Sequence, residues 1–126
     1  MKILFVCPAN VDRSPTAEFI YSDRCDLEVK SAGVSDYAMT PISLELIKWA
    51  EIILCMEKKH KQNIEKIFSA IVKNKVIDFL DVPDIYNYMN IDLVNIIREK
   101  TDAWLYNYQL EKKKKSIKKQ TAHNKQ

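Results

Sequence analysis

Four short strand-like runs, each followed by a stretch with helical spacing, constrain the fold of this chain more than any other feature. The strand-like runs lie at 2–6, 27–31, 51–55 and 75–80. The helical stretches lie at 14–23, 41–49, 57–71 and 91–110. Strands that alternate with helices pair in parallel, because each helix returns the chain to the same end of the sheet. The pattern predicts an α/β fold, a three-layer sandwich with a four-stranded parallel sheet.

Length and charge predict one domain followed by a basic tail. The chain has 126 residues, 47% of them apolar, which suits a single packed domain. Residues 111–126 hold seven Lys and one Glu, a net charge of +6, so the other 110 residues carry −3 of the total +3. We expect the domain at 1–110 and a tail at 111–126 that is disordered or a fraying helix end. The acidic body argues against nucleic-acid binding there, while the tail leaves open weak electrostatic docking on an acidic partner, nucleic acid or membrane.

Cysteine usage and the first residues bear on location. The chain has three cysteines, an odd number, and no C-x-x-C pair, which favours a reducing compartment over a secreted disulfide framework. The apolar run at the N-terminus is too short for a signal peptide, and no stretch is long enough to cross a bilayer. We therefore expect a cytoplasmic protein. The oligomeric state is not predicted.

The junction between the first strand and the first helix carries the chemistry. Cys7 is followed by five residues and then by Arg13 and Ser14. Loop N–H groups and the positive end of a helix can converge on one anion there, and Arg13 can hold two phosphate oxygens. The same field, with a hydrogen bond from Ser14, favours a Cys7 thiolate that attacks phosphorus and forms a phosphocysteine. The predicted phosphate-binding loop comprises Pro8, Ala9, Asn10, Val11, Asp12, Arg13 and Ser14.

A leaving oxygen needs a proton, and two aspartates follow the fourth strand. Parallel strands end at one edge of the sheet, so Asp81 and Asp84 are expected near Cys7. We favour Asp84 as the general acid, because Pro83 and Tyr86 on either side fit a loop beside an aromatic pocket wall. Asp81 would instead end the strand or orient Arg13. Tyr86 is the predicted wall of the substrate pocket.

On these residues the sequence resembles the low-molecular-weight protein tyrosine phosphatase family, in a compact bacterial branch. The likeness covers about residues 1–110. The matching motifs are Cys7-x5-Arg13-Ser14-Pro15-x-Ala17-Glu18, Ser31-Ala32-Gly33, Ile53-Leu54-Cys55-Met56 and Asp84-x-Tyr86. The resemblance implies that the substrate is a phosphotyrosine-containing protein or a small aryl phosphate, and that no metal or cofactor is needed. It also implies Cys7 as nucleophile, Arg13 as phosphate clamp and Asp84 as general acid.

The loop also departs from the family pattern. Ala9 stands where Gly is usual, so it must avoid a positive φ or bear strain. Pro8 has no N–H to offer an anion. Asp12 stands where a second Cys is common; it could repel a dianion, and it removes a thiol that commonly protects the nucleophile from oxidation. Ile85 replaces the usual Pro between the acid and the Tyr.

Two other functions stay open at this point. Arsenate reduction on a similar fold would require Cys25 or Cys55 to relay a disulfide, although both are expected to be structural. A catalytically weak phosphate or phosphopeptide binder would result if Pro8, Ala9 and Asp12 spoil the site. A zinc site from Cys25, Cys55 and His60 lacks ligand spacing, and His60 is expected to face solvent.

Three local expectations concern the backbone. Ser14 is the predicted N-cap of the first helix, and Thr40 the predicted cap of the second. Gly33, the single glycine of the chain, is expected to supply a positive φ or a close backbone approach.

Overall fold

The computed structural model describes the backbone of residues 1–124 and the side chains of residues 1–121. Strands and helices alternate as predicted, and all four strands are parallel in the order β2-β1-β3-β4. The strands are β1 Lys2–Cys7, β2 Glu28–Gly33, β3 Ile52–Cys55 and β4 Val76–Phe79. The helices are α1 Arg13–Tyr21, α2 Leu44–Trp49, α3 Lys58–Ile67, α4 Ser69–Val72 and α5 Ile91–Asn124. The predicted three-layer α/β fold is confirmed.

Alternating side chains of the central strand β1 divide the core into two layers. Ile3, Phe5 and Cys7 point to a cluster completed by α1 and α5. Leu4 and Val6 point to the opposite cluster, completed by α2 and α3. Strand residues alternate between faces, so a strand covered on both sides must be apolar throughout. Full burial of each large side chain contributes roughly 1.5–3 kcal/mol, and the central strand is therefore held firmly.

The starts of two helices differ from the prediction. Helix α1 begins at Arg13 with Asp12 at the N-cap position, and the Asp12 side chain makes no cap hydrogen bond. Ser14, the predicted N-cap, lies inside the helix, where its hydroxyl contacts the Cys7 sulfur. Helix α2 begins at Leu44, where the Ser43 side chain accepts the Leu46 N–H at 3.2 Å. Thr40 is therefore not its cap.

The predicted third helix, at 57–71, is divided into α3 and α4. The break lies at Phe68, whose φ of −114° and ψ of 33° are not helical. Both helices lie on the same side of the sheet, because Ile64 of α3 and Val72 of α4 are buried in one cluster.

Helix α5 is longer than the amphipathic pattern predicts. Its buried residues end at Leu105, whereas the side chains from Gln109 to Thr121 are exposed. The backbone nevertheless stays helical to Asn124, so the Lys-rich stretch up to that residue is helix where a disordered or fraying tail was expected. Lys has a high helix propensity, which favours helix in this stretch. The exposed i,i+3 ion pair of Glu111 and Lys114, at 3.6 Å, adds little to the stability of the helix. The domain boundary at residue 110 stays a prediction.

Within residues 1–124, no helix combines the length and the apolar character needed to cross a membrane.

Candidate active site

The segment after β1 forms a small cup at the carboxyl edge of the sheet. It encloses a cavity of about 80 Å³. The cavity is lined by Cys7, Pro8, Ala9, Val11, Asp12, Arg13 and Asp84. Cys7 is only 3% exposed, so its sulfur lies at the floor and is reached through the cup. Helix α1 begins at Arg13, which turns the positive end of the helix toward the cavity.

The back of the cup is braced by the segment that follows β2. The carbonyl oxygens of Cys7, Pro8 and Ala9 accept N–H groups at 3.0 Å each. The donors are Val34, Ser35 and Met39, in that order. Because the C=O and N–H of a trans peptide point in opposite directions, the N–H groups of Ala9 and Asn10 face away from this brace. Pro8 contributes no N–H.

Gly33 makes this brace possible. Its φ is not positive, so that part of the expectation is wrong. A Cβ atom at Gly33 would instead collide with the Pro8 carbonyl oxygen and with the Ala38 side chain. The predicted close backbone approach is therefore the reason for the glycine.

Asn10 organises a chain of hydrogen bonds that ends on the Cys7 sulfur. It adopts φ 56°, a left-handed conformation that Asn tolerates better than most residues. Its Nδ2 donates to the hydroxyls of Ser14 and Ser31, each at 2.9 Å. The Ser31 hydroxyl in turn donates to the Glu18 carboxylate at 3.3 Å.

The direction of this chain places a hydroxyl donor at the Cys7 sulfur. The Ser14 hydroxyl lies 2.9 Å from the Cys7 Sγ. Because Asn10 already donates to that oxygen, the Ser14 proton is left for an acceptor, and the Cys7 Sγ at 2.9 Å is nearer than the Ala32 carbonyl oxygen at 3.4 Å.

Arg13 is a buried cation held by two partners outside the loop. Its side chain is 2% exposed. Its Nη1 donates to Glu57 Oε2 at 2.7 Å and to the Val82 carbonyl oxygen at 2.8 Å. A buried charge requires such compensation. The hydrogen bond from Arg13, together with its charge, lowers the pKa of Glu57, which therefore stays ionised.

Glu57 was not predicted as a partner of Arg13, although Met56-Glu57 follows the end of a predicted strand. The prediction that His60 faces solvent is wrong, because the residue is 2% exposed. The His60 Nδ1 accepts the Glu57 N–H at 3.1 Å, and the Glu57 side chain accepts a backbone N–H of α3 in return. This capping box turns the imidazole inward at the start of α3. Burial, helped by the Arg13 charge, lowers the pKa of His60 to about 4, so the ring is neutral at pH 7.

Of the two candidate acids, only Asp84 lies at the cup. Its Oδ1 is 3.8 Å from Arg13 Nε, and its side chain is 66% exposed. Asp81 is not among the residues that line the cavity. It adopts φ 60° at the end of the β4 segment, and its carbonyl oxygen accepts Lys100 Nζ. Tyr86 packs against the core cluster of α1 and α5 and does not line the cavity, whereas Tyr88 is 48% exposed.

The unusual loop residues are accommodated. Ala9 does not have a positive φ. Asp12 lines the cavity, yet its Oδ1 accepts the Tyr88 N–H at 2.9 Å. One oxygen of that carboxylate is thus bound by the backbone of the segment that follows Asp84.

The remaining cysteines are separate from the cup. Cys55 is buried in the core cluster on the other face of the sheet from Cys7, and Cys25 is exposed. Neither is placed to form a disulfide with Cys7. Among the described residues, no three or more His, Cys, Asp or Glu side chains are grouped to hold a metal ion.

A cysteine-based anion cup at the carboxyl edge of a four-stranded parallel sheet defines the class of low-molecular-weight phosphatase folds. Solved structures agree. A low-molecular-weight protein tyrosine phosphatase from Streptococcus pyogenes is 22% identical with a TM-score of 0.69, over 84% of this chain and 91% of that chain. The YwlE arginine phosphatase from Geobacillus stearothermophilus is 25% identical with a TM-score of 0.61, over 87% of this chain and 96% of that chain.

A curated relative points to the same class. The protein-arginine-phosphatase of Bacillus subtilis strain 168 is 30% identical over 95 residues, and the match covers 54% of this chain and 63% of that protein. The chain thus spans less than two thirds of the length of this relative. No family model matches the chain. The chain has the low-molecular-weight protein tyrosine phosphatase fold, and its predicted resemblance to that family is confirmed.

Proposed function

We propose that this protein is a phosphatase that hydrolyses phosphotyrosine in proteins through a cysteinyl-phosphate intermediate. One observation carries the proposal: the Cys7 sulfur lies at the floor of a closed cup, 2.9 Å from the Ser14 hydroxyl, with the Arg13 guanidinium at the same cavity. Phosphatase relatives support the reaction type. In this proposal Cys7 is the nucleophile, Arg13 the phosphate clamp and Asp84 the general acid.

In the first step the Cys7 thiolate attacks phosphorus, and the bond from phosphorus to the aryl oxygen breaks. The N–H groups of the loop and the free donors of Arg13 stabilise the three equatorial oxygens. Asp84 gives its proton to the leaving oxygen, so tyrosine departs neutral. The phosphoryl group is now on sulfur.

In the second step the Asp84 carboxylate takes a proton from a water molecule. The water oxygen attacks phosphorus, and the bond from sulfur to phosphorus breaks. Inorganic phosphate leaves, the thiolate is restored, and Asp84 is again protonated. Neither step requires a metal ion or a cofactor.

The mouth of the cup supports an aryl substrate. Val11 is 50% exposed at the rim, and Ile85 and Tyr88 are 73% and 48% exposed on nearby turns. Apolar and aromatic surfaces of this kind suit a phenyl ring. Because the Cys7 sulfur is only 3% exposed, a long aryl ester reaches it more easily than a short seryl phosphate.

A second candidate is hydrolysis of phosphoarginine, in which a bond from phosphorus to nitrogen breaks. Two of the relatives are arginine phosphatases. The exposed carboxylate of Asp84 at the mouth would also attract a guanidinium group. In this reaction Asp84 would protonate the leaving nitrogen.

The test uses two peptides of one sequence, with phosphotyrosine in the first and phosphoarginine in the second, and measures released phosphate. We expect kcat/KM to be higher for phosphotyrosine; a higher value for phosphoarginine would favour the second candidate. With p-nitrophenyl phosphate, Cys7→Ser and Arg13→Ala should abolish turnover. Asp84→Asn should lower kcat/KM roughly 100-fold, and Asp81→Asn should leave it near normal.

Other outcomes separate the alternatives. Loss of activity in Asp81→Asn with Asp84→Asn near normal would mean that the wrong acid is assigned. Oxyanion binding without turnover would instead indicate a phosphate or phosphopeptide binder. Thiol-dependent arsenate turnover that is lost in Cys25→Ser or Cys55→Ser would indicate an arsenate reductase.

A cytoplasmic location is part of the proposal. The cysteines Cys7, Cys25 and Cys55 are all unpaired, and the proposed nucleophile must stay reduced to act.

A further inference from the structure

We propose that Asp12 is a positioning residue. Its carboxylate holds the acid-bearing segment, which runs from Asp84 to Met89, against the phosphate-binding loop. This inference rests on the proposed function, because it concerns how Asp84 is placed for proton transfer. It assigns a use to the residue by which this loop departs most clearly from the family pattern.

Two consecutive backbone N–H groups of the acid-bearing segment are bound by the side chains of Asp12 and Thr16. Tyr88 N donates to Asp12 Oδ1 at 2.9 Å, and Met89 N donates to Thr16 Oγ1 at 3.0 Å. The Thr16 hydroxyl donates to the Asp12 carbonyl oxygen at 2.6 Å, which fixes its lone pairs toward Met89. Thr16 is fully buried, so water does not compete at that contact. The bond to Asp12 is charge-assisted, and it is exposed to solvent.

The conformation of the bound segment shows that these contacts constrain it. Met89 has φ 60°, a left-handed conformation that costs a residue other than Gly, Asn or Asp roughly 1–3 kcal/mol. Such a conformation persists only where surrounding contacts compensate it. The turn is also closed by the Asn90 N–H, which donates to the Asn87 carbonyl oxygen at 3.0 Å.

Asp84 lies between two anchors. The first is at the end of β4, where Leu80 N and Val82 N donate to the carbonyl oxygens of Cys55 and Met56 at 2.8 Å each. The second is the pair of bonds to Asp12 and Thr16. The intervening segment is neither helix nor strand, and Asp84 itself is 66% exposed. Without the second anchor, the distance from its carboxyl group to the cup is no longer fixed from both sides.

The experiment measures how the loss of kcat/KM in an Asp12 variant depends on the leaving group of the substrate. Proton donation matters more for phenyl phosphate than for p-nitrophenyl phosphate, because the nitro group stabilises the departing anion. We expect Asp12→Ala to lower kcat/KM roughly threefold with p-nitrophenyl phosphate and roughly 30-fold with phenyl phosphate, as expected when general acid catalysis is impaired. Asp12→Asn keeps an acceptor oxygen for the Tyr88 N–H and should keep the wild-type dependence on the leaving group.

The Thr16 contact gives an independent pair of variants. Thr16→Val removes the acceptor of the Met89 N–H at nearly constant volume, whereas Thr16→Ser retains it. Thr16→Val should show the same preferential loss with phenyl phosphate, and Thr16→Ser should not. This pair keeps the inference testable if Asp12→Ala does not fold.

A competition measurement separates positioning from damage to the cup. Inorganic phosphate should inhibit Asp12→Ala at least as strongly as the wild type, because the anion donors remain. Equal losses for both esters, together with weaker inhibition by phosphate, would overturn the inference and assign Asp12 to loop integrity. Lack of turnover by the wild-type protein would contradict the proposed function instead.

Discussion

At the residue scale, the site depends on a buried cation and on the groups that keep it paired. Arg13 is compensated by the Glu57 carboxylate at 2.7 Å. His60 lies against the same carboxylate, with its Nε2 at 3.6 Å, and that nitrogen has no hydrogen-bond partner among the described residues. A protonated His60 would add a second positive charge beside Arg13. The fold therefore requires a neutral imidazole.

This requirement predicts how stability depends on pH. His60 has a pKa of about 4 in the folded protein, below its ordinary 6.5, so the unfolded chain binds more protons between these values. Stability should fall as the pH drops from 6.5 to 4, by up to about 3 kcal/mol from this residue. His60→Gln retains an acceptor for the capping box and should flatten the slope in this range. Urea unfolding of the wild type and of His60→Gln from pH 4 to 7.5 measures the slope of the free energy of unfolding against pH.

The pKa of Glu57 is also lowered, but Glu57 changes the stability of the fold at a lower pH than His60 does. Its contribution to stability is present above its unfolded pKa and is lost as the pH falls through its folded pKa. The slope between pH 6.5 and 5 therefore belongs to His60. If the wild type and His60→Gln have the same slope there, His60 is not buried in its neutral form.

At the scale of the elements, α5 has two unlike parts. Up to Tyr108 it packs on the sheet: Leu93, Ile97 and Leu105 are buried, and Trp104 Nε1 donates to Asp78 at 2.7 Å. Beyond that point the described side chains are exposed, and six of the thirteen are lysine. An isolated exposed segment of helix contributes little to the stability of a domain.

Truncation after Leu110 tests whether the domain ends there. It removes none of the buried side chains described above, so we expect the free energy of unfolding to change by less than about 0.5 kcal/mol. Activity toward p-nitrophenyl phosphate should be unchanged. The net charge of the truncated chain would be −3 instead of +3, which should show in its elution from an ion-exchange column. A loss of several kcal/mol would place the domain boundary beyond residue 110.

The elements also show what sequence could predict. The strands, the Cys7 loop and Asp84 were found because apolar runs, turn residues and a nucleophile with fixed spacing are local signals. The start of α2 was predicted wrongly, because Thr40-Pro41 is a typical beginning of a helix. In the structure Pro41 instead pairs with Gly33 in a β-bridge. Glu57 and His60 were missed because their role depends on β3 lying beside β1, which is a property of the sheet.

At the scale of the whole molecule, strand order assembles the site. The central strand β1 has β2 on one side and β3 on the other, and β4 follows β3. The segment after β2 braces the cup, the segment after β3 supplies Glu57, and the segment after β4 supplies Asp84. Four separate parts of the chain thus meet at one edge, as parallel sheets require.

Anion binding at that edge should stabilise the whole fold. Phosphate at 100 times its dissociation constant is expected to add about 2.7 kcal/mol to the free energy of unfolding, seen as a rise in Tm. Chloride at the same ionic strength should not reproduce the effect, and Arg13→Ala should lose it. A rise in Tm that persists in Arg13→Ala would place the anion elsewhere on the molecule.

The three N–H groups that brace the cup from behind have one more consequence. Their hydrogen bonds join the loop to another part of the chain and use no donor or acceptor of a substrate. The disorder of the loop is therefore removed before a substrate arrives, and each encounter meets a cradle already shaped for it. Occupancy should change the motion of the loop very little. The amide hydrogens of Val34, Ser35 and Met39 should then exchange with solvent at nearly the same slow rate in the empty and the phosphate-bound protein, apart from the global stabilisation that binding brings.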